Sequence, residues 1–307
     1  MRSSSPSLYL ACILACALTP TGCTKKSATT AATENPVQAG WEHYRLGEFD
    51  SAAREFSSAV ANLPVDDSRR DLALYGQAST WNLRTPMGDQ NKPLARQVYQ
   101  QILDHAPASD LAAWSLLALA RMQHLVPVGE EPDYEAVRGA YQNVVTRFPE
   151  HLAGHEAFMY LQASHIQTLQ AKSTKPAVAA LEDFITRHPD SGYRSGAYRL
   201  IAAGYETLHE PELQLAAELK SLESMEIDPS NPKFENSINY WRIATIAEFE
   251  VGDFEIARRF YRRLMLEYPQ DNRIYACEEA LQRMDQLEAR LRREHGHAGD
   301  AQAGGGA

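Results

Sequence analysis

The serine, histidine and cysteine residues of this 307-residue chain do not fall into the spacings that catalysis or metal binding requires. Ser195, in the stretch GYRSGAY, lacks the glycine two positions earlier that a nucleophile elbow needs, and it lies at the predicted start of a helix. No glycine-rich phosphate loop, C-x-x-C pair or H-E-x-x-H helix occurs in the sequence. His295 and His297 could contact a metal ion, but a solvated tail is the simpler interpretation. The sequence therefore predicts a non-enzymatic protein with no cofactor and no metal site.

Four arginines in the stretch ARRFYRRLM could bind an acidic partner. Arg258 and Arg262 are four residues apart, as are Arg259 and Arg263, so each of these two pairs shares a helix face. Two interpretations remain open: a solvated outer face balanced by nearby glutamates, or a docking patch for an acidic partner. The whole chain has a formal charge of −10 and is not basic, so nucleic acid is not expected as a partner.

The elements that would position these residues follow a fixed period. Six prolines end a helical pattern at intervals of 40 to 43 residues, and they are Pro64, Pro107, Pro149, Pro189, Pro229 and Pro269. A proline cannot continue a helix, so each one marks the end of a helical segment. A fixed period in this range is typical of a repeat solenoid, in which each helix pair buries its apolar face against its neighbours.

Small and large residues keep a constant distance from each proline. The residues twelve positions earlier are Ala52, Ala95, Val137, Ala177, Ala217 and Ala257. The residues eight positions earlier are Phe56, Tyr99, Tyr141, Leu181, Ser221 and Tyr261. The small residue lets two helices approach closely, and the larger residue one turn later lies on the same face. Ser221 and Ser224 replace apolar residues in the fifth repeat, which suggests a shifted register there.

This pattern resembles the tetratricopeptide repeat (TPR). The first repeat matches through Gly47, Glu48, Phe49, Asp50, Ala52, Phe56, Ala59 and Pro64, and the last through Trp241, Ala244, Gly252, Asp253, Phe254, Ala257, Tyr261 and Pro269. The resemblance implies an all-α, TPR-type α-solenoid of about six helix pairs. The period exceeds the ~34 residues of a standard TPR and is similar to that of HEAT-like pairs, but the Gly-Asp-aromatic turn favours the TPR.

The solenoid is predicted over residues 37–271, followed by a C-terminal capping helix over residues 272–295. The cap has apolar residues at helical spacing and a charged outer side, as a terminal helix requires. Cys277, within the cap, is predicted to be a small buried side chain rather than a reactive thiol. The last helix before the Gly252 turn is predicted over residues 236–251. Residues 296–307 are predicted to form a disordered tail.

Residues 1–22 have the features of a secretory signal peptide. Their apolar run of 11 residues, from Leu8 to Leu18, is shorter than the roughly 20 residues that span a bilayer. The following LTPTGC resembles a bacterial lipobox, which implies cleavage before Cys23 and lipidation of its thiol. Cys16 is a competing lipidation site, and a plain signal peptide cut nearby is the alternative. Residues 23–36 are predicted to form a flexible tether.

The turns between repeats, as in TRHPDSGYRSGAYRLIAAGY, look like those of bacterial envelope TPR lipoproteins. The resemblance is first to the BamD-like lipoproteins of outer-membrane β-barrel assembly and second to the CpoB-like, TolA-associated proteins. The resemblance implies a non-catalytic interaction scaffold in outer-membrane assembly or envelope maintenance. It would be lipid-anchored to the outer membrane, face the periplasm and bind other envelope proteins. The alternatives are secretion to the periplasm and, for the function, a cell-wall or glycan-binding subunit that recruits a separate enzyme.

Partner-binding residues are expected on the first helix of each pair, because these helices line the concave groove of a TPR superhelix. Trp41 and Tyr44 in the first repeat, and Asn239 and Arg242 in the last, are the candidates. Aromatic residues and arginine are the usual hot-spot types at protein interfaces. For Trp41 and Tyr44, ordinary packing against the second helix is the alternative.

Overall fold

Paired α-helices make up the chain wherever the structure describes it. The computed structural model describes residues 35–84, 91–225 and 236–303, with side chains as far as residue 293. The helices are α1 (Pro36–Arg45), α2 (Phe49–Asn62), α3 (Ser68–Leu83), α4 (Asn91–His105), α5 (Asp110–His124), α6 (Tyr134–Arg147), α7 (Leu152–Ile166), α8 (Ala171–Arg187), α9 (Arg194–Leu208), α10 (Pro211–Glu223), α11 (Ser237–Thr245), a π-helical segment (Ile246–Val251), α12 (Phe254–Glu267) and α13 (Ile274–Ala303). These ranges contain no β-strand. The predicted all-α class, with six helix pairs and a terminal helix, is confirmed.

The predicted signal peptide and Cys23 lie outside the described residues. In the part of the chain that is described, no helix combines the length and apolar character needed to cross a membrane.

Glycine turns precede the second helix in the first and last pairs. Gly47 and Gly252 have φ angles of +77° and +79°, in the left-handed region that glycine adopts without strain. After the second turn, the Asp253 carboxylate caps α12 by accepting a hydrogen bond from the Ile256 N–H at 2.9 Å. The repeated Gly-x-aromatic signal in the sequence therefore corresponds to the same physical turn at both ends of the solenoid.

The positions that recur before each proline form the core. The residues twelve positions before each proline are at most 4% exposed, and those eight positions before are at most 2% exposed. Phe56 on α2 shows how the small residues contribute, because its ring packs where Gly40 of α1 and Gly76 of α3 have no side chain. Close packing of this kind explains why the pattern alternates between small and large residues.

The fifth pair keeps the register of the other pairs, although Ser221 and Ser224 replace apolar residues in it. Ser221 is 1% exposed, at the position that aromatic or apolar residues occupy in the other pairs. Its hydroxyl donates to the Ser195 carbonyl at 2.9 Å, and the Ser195 hydroxyl donates to the Ser221 carbonyl at 2.9 Å. The predicted register shift is therefore wrong, since reciprocal hydrogen bonds satisfy the polar side chains in the core. Ser224 follows the end of α10 and acts as its C-cap.

The first helices lie on the inner side of the solenoid. Helices α1, α3, α5, α7 and α9 each contact the next one in this series, whereas no second helix contacts the next second helix among the described residues. Elements that touch their neighbours lie on the shorter, concave side of a curved stack. The series is interrupted after α9, where the α9 and α11 backbones do not come close together.

The C-terminal helices depart from the prediction in two places. The segment predicted as one helix over 236–251 changes from α11 to a π-helix at Ile246, where the chain leads into the Gly252 turn. Helix α13 runs to Ala303, past the predicted end at 295, so part of the segment predicted to be disordered is helical. Cys277 is 0% exposed, and burial raises the pKa of its thiol to about 11, as expected for an inert buried side chain.

Candidate functional site

Two charged side chains of opposite sign lie together on the concave face. Arg121, near the end of α5, is the only basic side chain of that helix apart from the terminal His124, and Glu156 is the only carboxylate of α7. The Arg121 Nη1 atom lies 3.4 Å from Oε1 of Glu156. Tyr193, in the turn before α9, donates from its hydroxyl to Oε2 of Glu156 at 3.0 Å. Arg121 remains 42% exposed whereas Glu156 is 11% exposed, so the cation is the accessible member of the pair.

Tyrosine side chains from several helix pairs lie within electrostatic range of this arginine. The Arg121 guanidinium opposes the burial effect on the pKa of tyrosines from α1, α3, α4, α6 and the turn before α9: Tyr44, Tyr75, Tyr99, Tyr141 and Tyr193. It also lies 5.7 Å from the centroid of the Tyr160 ring. One guanidinium therefore acts on side chains from five consecutive helix pairs. We refer to Tyr44, Tyr75, Arg121, Glu156, Tyr160 and Tyr193 as the concave cluster; each of them except the buried Glu156 is partly exposed.

Burial raises the pKa of Tyr44, Tyr75 and Tyr193 further above the neutral range, so these phenols are protonated. Burial raises the pKa of Tyr75 to about 12, and burial followed by the Glu156 charge raises the pKa of Tyr193. A protonated phenol donates a hydrogen bond, and a guanidinium has only donors. The cluster is therefore rich in donors and suits a ligand that presents carbonyl or carboxylate oxygens.

Trp41 and Tyr44 lie where the prediction placed them, on α1 at one end of the concave face. The Trp41 ring packs edge-to-face on Phe56 of α2 at 5.1 Å and on Tyr44 at 5.3 Å, so packing against the second helix is part of its role. Its Nε1 atom is buried and makes no hydrogen bond with the described residues. Tyr44 is half-buried and belongs to the concave cluster. Partner binding by these two residues remains a prediction.

Asn239 and Arg242 join the last two helix pairs. Asn239 is 5% exposed, and its Oδ1 accepts a hydrogen bond from Nη2 of Arg199 on α9 at 2.8 Å. Arg242 lies 3.5 Å from the buried carboxylate of Glu218 on α10 and is 37% exposed. Both side chains therefore have partners within the chain, and only Arg242 offers substantial surface to another molecule.

The four arginines of α12 divide into different environments. Arg258 contacts Asp285 and Glu288 of α13, at 2.9 Å in each case, and it is 16% exposed. Arg263 contacts Glu267 at 2.8 Å and donates to the Tyr240 hydroxyl at 2.6 Å. Arg259 and Arg262 are exposed and line an open depression with Arg258 and Glu255. The interpretation as a face balanced by nearby carboxylates fits Arg258 and Arg263, and an acidic partner could reach Arg259 and Arg262.

Sequence reasoning missed Arg121, Glu156, Tyr75, Tyr160 and Tyr193. A signal was present, because Arg121 and Glu156 are isolated charges in consecutive apolar first helices, 35 residues apart along the chain. Lone charges on buried faces are uncommon unless they are paired.

Comparisons with known proteins give similarity at the level of structure only. No known protein-family model matches the sequence, and no curated protein matches it. The chain is similar to MamA residues 41 to the end from Desulfovibrio magneticus RS-1, with 20% identity, a TM-score of 0.42 and coverage of 65% of this chain and 96% of that one. It is also similar to a tetratricopeptide repeat protein from Parabacteroides merdae, with 14% identity, a TM-score of 0.44 and coverage of 80% and 82%. It is also similar to an assembly chaperone of RpL4, with 14% identity, a TM-score of 0.34 and coverage of 84% of this chain and 86% of that one. At these TM-scores and identities, the similarity carries no inference about partners or activity.

Proposed function

We propose that this protein is a non-catalytic interaction scaffold that binds a segment of another protein along its concave face. The observation that carries the proposal is the concave cluster, in which one accessible guanidinium lies among tyrosine hydroxyls from consecutive helix pairs. Arginine and tyrosine are enriched at interface hot spots, because they supply large contact areas and directed hydrogen bonds. A partner segment with acidic side chains or exposed carbonyl groups matches this donor-rich surface.

The first helices offer a protein segment several contacts in a row. The cluster draws its residues from consecutive helix pairs, from Tyr44 on α1 to Tyr193 before α9. An extended or helical segment that lies along the concave face can contact several first helices at once. A cell-wall or glycan ligand, which would find its aromatic contacts within a single pocket, is the alternative.

We place the protein at the bacterial outer membrane, facing the periplasm, with Cys23 carrying the lipid anchor. The support is the signal-like segment 1–22 and the lipobox-like LTPTGC. Several acyl chains on one cysteine would hold the solenoid at a membrane surface, since each buried methylene contributes about 0.8 kcal/mol. The proposed partners are other envelope proteins, with components of β-barrel assembly first among them.

Site-directed photocrosslinking in the native envelope tests the binding face. A photoreactive phenylalanine analogue replaces Tyr44 or Tyr160 on the first helices, and Tyr134 on the second helix α6 serves as the matched outer-face control. Crosslinks to one defined envelope protein from the two inner positions, and none from Tyr134, are the expected result. Crosslinks from Tyr134 alone would show that the convex side binds the partner, and they would refute the proposal.

Two arginine variants test the contribution of Arg121 to binding. Arg121→Ala should reduce the inner-face crosslinks, because truncation of a hot-spot arginine costs about 2 kcal/mol, or about 30-fold in affinity. Arg187→Ala removes an exposed arginine of α8 that pairs only locally with Asp183, and it should leave the crosslinks unchanged.

A mild-detergent pull-down of the full-length protein, with the Cys23→Ser variant beside it, tests the lipid anchor. Equal recovery of envelope partners by both forms would contradict a role for the lipid.

A further inference from the structure

One carboxylate and two imidazoles meet at the edge of the fourth helix pair. Glu150, His155 and His188 each offer a ligand atom, and these three atoms all lie within 4.8 Å of one another. The Nδ1 atom of His188 is 3.7 Å from Oε2 of Glu150, and the His155 and His188 rings have centroids 4.5 Å apart. Two ligand atoms on one tetrahedral zinc ion are about 3.3 Å apart for bonds of about 2.0–2.1 Å, so small side-chain rotations would complete the geometry.

The local fold brings these residues together. Glu150 lies in the turn between α6 and α7, His155 lies in the first turn of α7, and His188 is the C-cap of α8. Since α7 and α8 form a pair joined by a short turn, the start of one is beside the end of the other. The Phe184 ring contacts the His155 ring at 5.1 Å and the His188 ring at 4.8 Å, which holds both imidazoles in place.

One ring nitrogen of His155 is buried and is not satisfied by the residues that the structure describes. The residue is 8% exposed, and its Nε2 atom is buried without a hydrogen-bond partner among the described residues. Its Nδ1 atom lies 3.4 Å from the Ser191 hydroxyl, a long contact that could orient the ring. A buried polar nitrogen without a partner is unfavourable, and a bound metal ion would satisfy it.

His151 is four residues before His155 but is not a further ligand. Its Nδ1 accepts from the Ala153 N–H at 3.0 Å, and its Nε2 contacts Asp110 at 2.6 Å.

We propose that Glu150, His155 and His188 bind one divalent transition-metal ion, with Zn²⁺ the best match to the donor set. Two imidazoles and a carboxylate suit zinc, whereas Ca²⁺ and Mg²⁺ prefer sites made of oxygen ligands. The Glu150 carboxylate is 78% exposed, so the ion can enter from solvent. Once bound, it ties the α6–α7 turn to the end of α8 and so stiffens the fourth pair. The proposal does not depend on the binding role of the concave face.

Metal titration of the full chain tests the site. The protein is treated with EDTA, dialysed and titrated with ZnCl₂ by calorimetry, and with CoCl₂ by visible absorption, which reports the ligand field directly. One ion per chain is the expected result. Glu150→Gln and His188→Gln should each weaken binding by at least about 100-fold and alter or abolish the cobalt spectrum. His105→Gln removes a histidine that pairs with Asp71 in another helix pair, and it should bind like the parent.

Two further variants keep the outcome clear. Glu150 is exposed, so Glu150→Gln should keep the parent circular dichroism and separate loss of ligation from loss of fold. The double variant His295→Gln/His297→Gln should retain binding. No binding at micromolar zinc would overturn the proposal, as would binding that survives both Glu150→Gln and His188→Gln or that disappears only in the double variant.

Discussion

The Phe56 ring sets a strict limit on side-chain size at two glycines. A Cβ atom added at Gly76 would lie 2.4 Å from the Phe56 ring, and one added at Gly40 would lie 2.6 Å from it. Phe56 is 0% exposed, so its ring cannot turn into solvent to relieve the contact. Gly76→Ala gains about 1 kcal/mol from the helix preference of alanine, whereas overpacking costs about 1–3 kcal/mol. The close contact puts the cost near its upper end, and we expect a net loss of about 2 kcal/mol in the free energy of unfolding.

The same substitution at Gly139 should have the opposite effect on stability. Gly139 lies within α6, and a Cβ atom added there would have no neighbouring heavy atom within 4 Å. Gly139→Ala therefore gains only the helix preference, and stability should rise by about 1 kcal/mol. Phe56→Leu combined with Gly76→Ala provides a second check, because the smaller residue makes room for the methyl group. The double variant should be less destabilised than the sum of its single changes.

Urea denaturation with hydrogen exchange provides the measurement. A solenoid can unfold by region, so exchange of the α1–α3 amides locates the effect of Gly76→Ala, and the α11–α13 amides serve as an internal reference. If Gly76→Ala stabilises the protein as much as Gly139→Ala does, the ring must move at no cost. The packing explanation of the glycine positions would then be wrong.

Two further predictions concern the cap and the pH dependence of stability. Arg258→Ala removes both contacts to Asp285 and Glu288, so it should lower the free energy of unfolding by about 1 kcal/mol and speed hydrogen exchange of the α13 amides. Substitution of the exposed Arg262 to alanine should have neither effect. Equal effects of the two variants would contradict a capping role for Arg258. Burial lowers the pKa of His124 and His165 below the ordinary value of 6.5, so the folded state binds fewer protons than the unfolded state. This contribution to stability should therefore be complete above about pH 6.5 and should be lost as the pH drops through the depressed pKa values. Urea midpoints measured from pH 5 to 7.5 test the expected pH dependence. His124→Gln should make the midpoint depend less steeply on pH, and an unchanged dependence would refute the role of His124.

The helix pairs were predictable because their signals are local and recur six times. A proline, an aromatic residue one turn after a small one and a glycine turn each specify nearby backbone or packing. Phe56, Tyr99, Tyr141 and Tyr261 are buried for the same reason in different pairs. The serine at position 221 looked like an exception, because its partner Ser195 lies 26 residues away and its hydrogen bonds cannot be read from the local pattern.

The concave cluster and the contact between His155 and His188 could not be predicted in the same way. Arg121 meets Glu156 only because α5 and α7 lie side by side with a particular rotation about their axes. His155 has a partner at the correct helical spacing in His151, yet the fold pairs it with His188 instead. Periodicity specifies which helix face is buried, but the azimuth and stagger of neighbouring helices decide which polar groups meet.

The joint between the fifth and sixth pairs bears on how the predicted partner residues would act. Since the α9 and α11 backbones do not approach closely, side chains carry much of this connection. Arg199 on α9 donates a hydrogen bond to Asn239 on α11, and Arg242 on α11 pairs with Glu218 on α10. Burial raises the pKa of Glu218 against the opposing Arg242 and Arg199 charges, so loss of Arg242 would leave a costly buried carboxylate. Arg242→Ala would therefore loosen the sixth pair as well as remove an accessible cation. An effect of this variant on binding becomes evidence for direct contact only if exchange of the α11 and α12 amides is unchanged. The exposed Arg259 and Arg262 do not carry this ambiguity, which makes them the cleaner test of an acidic partner at the C-terminal end.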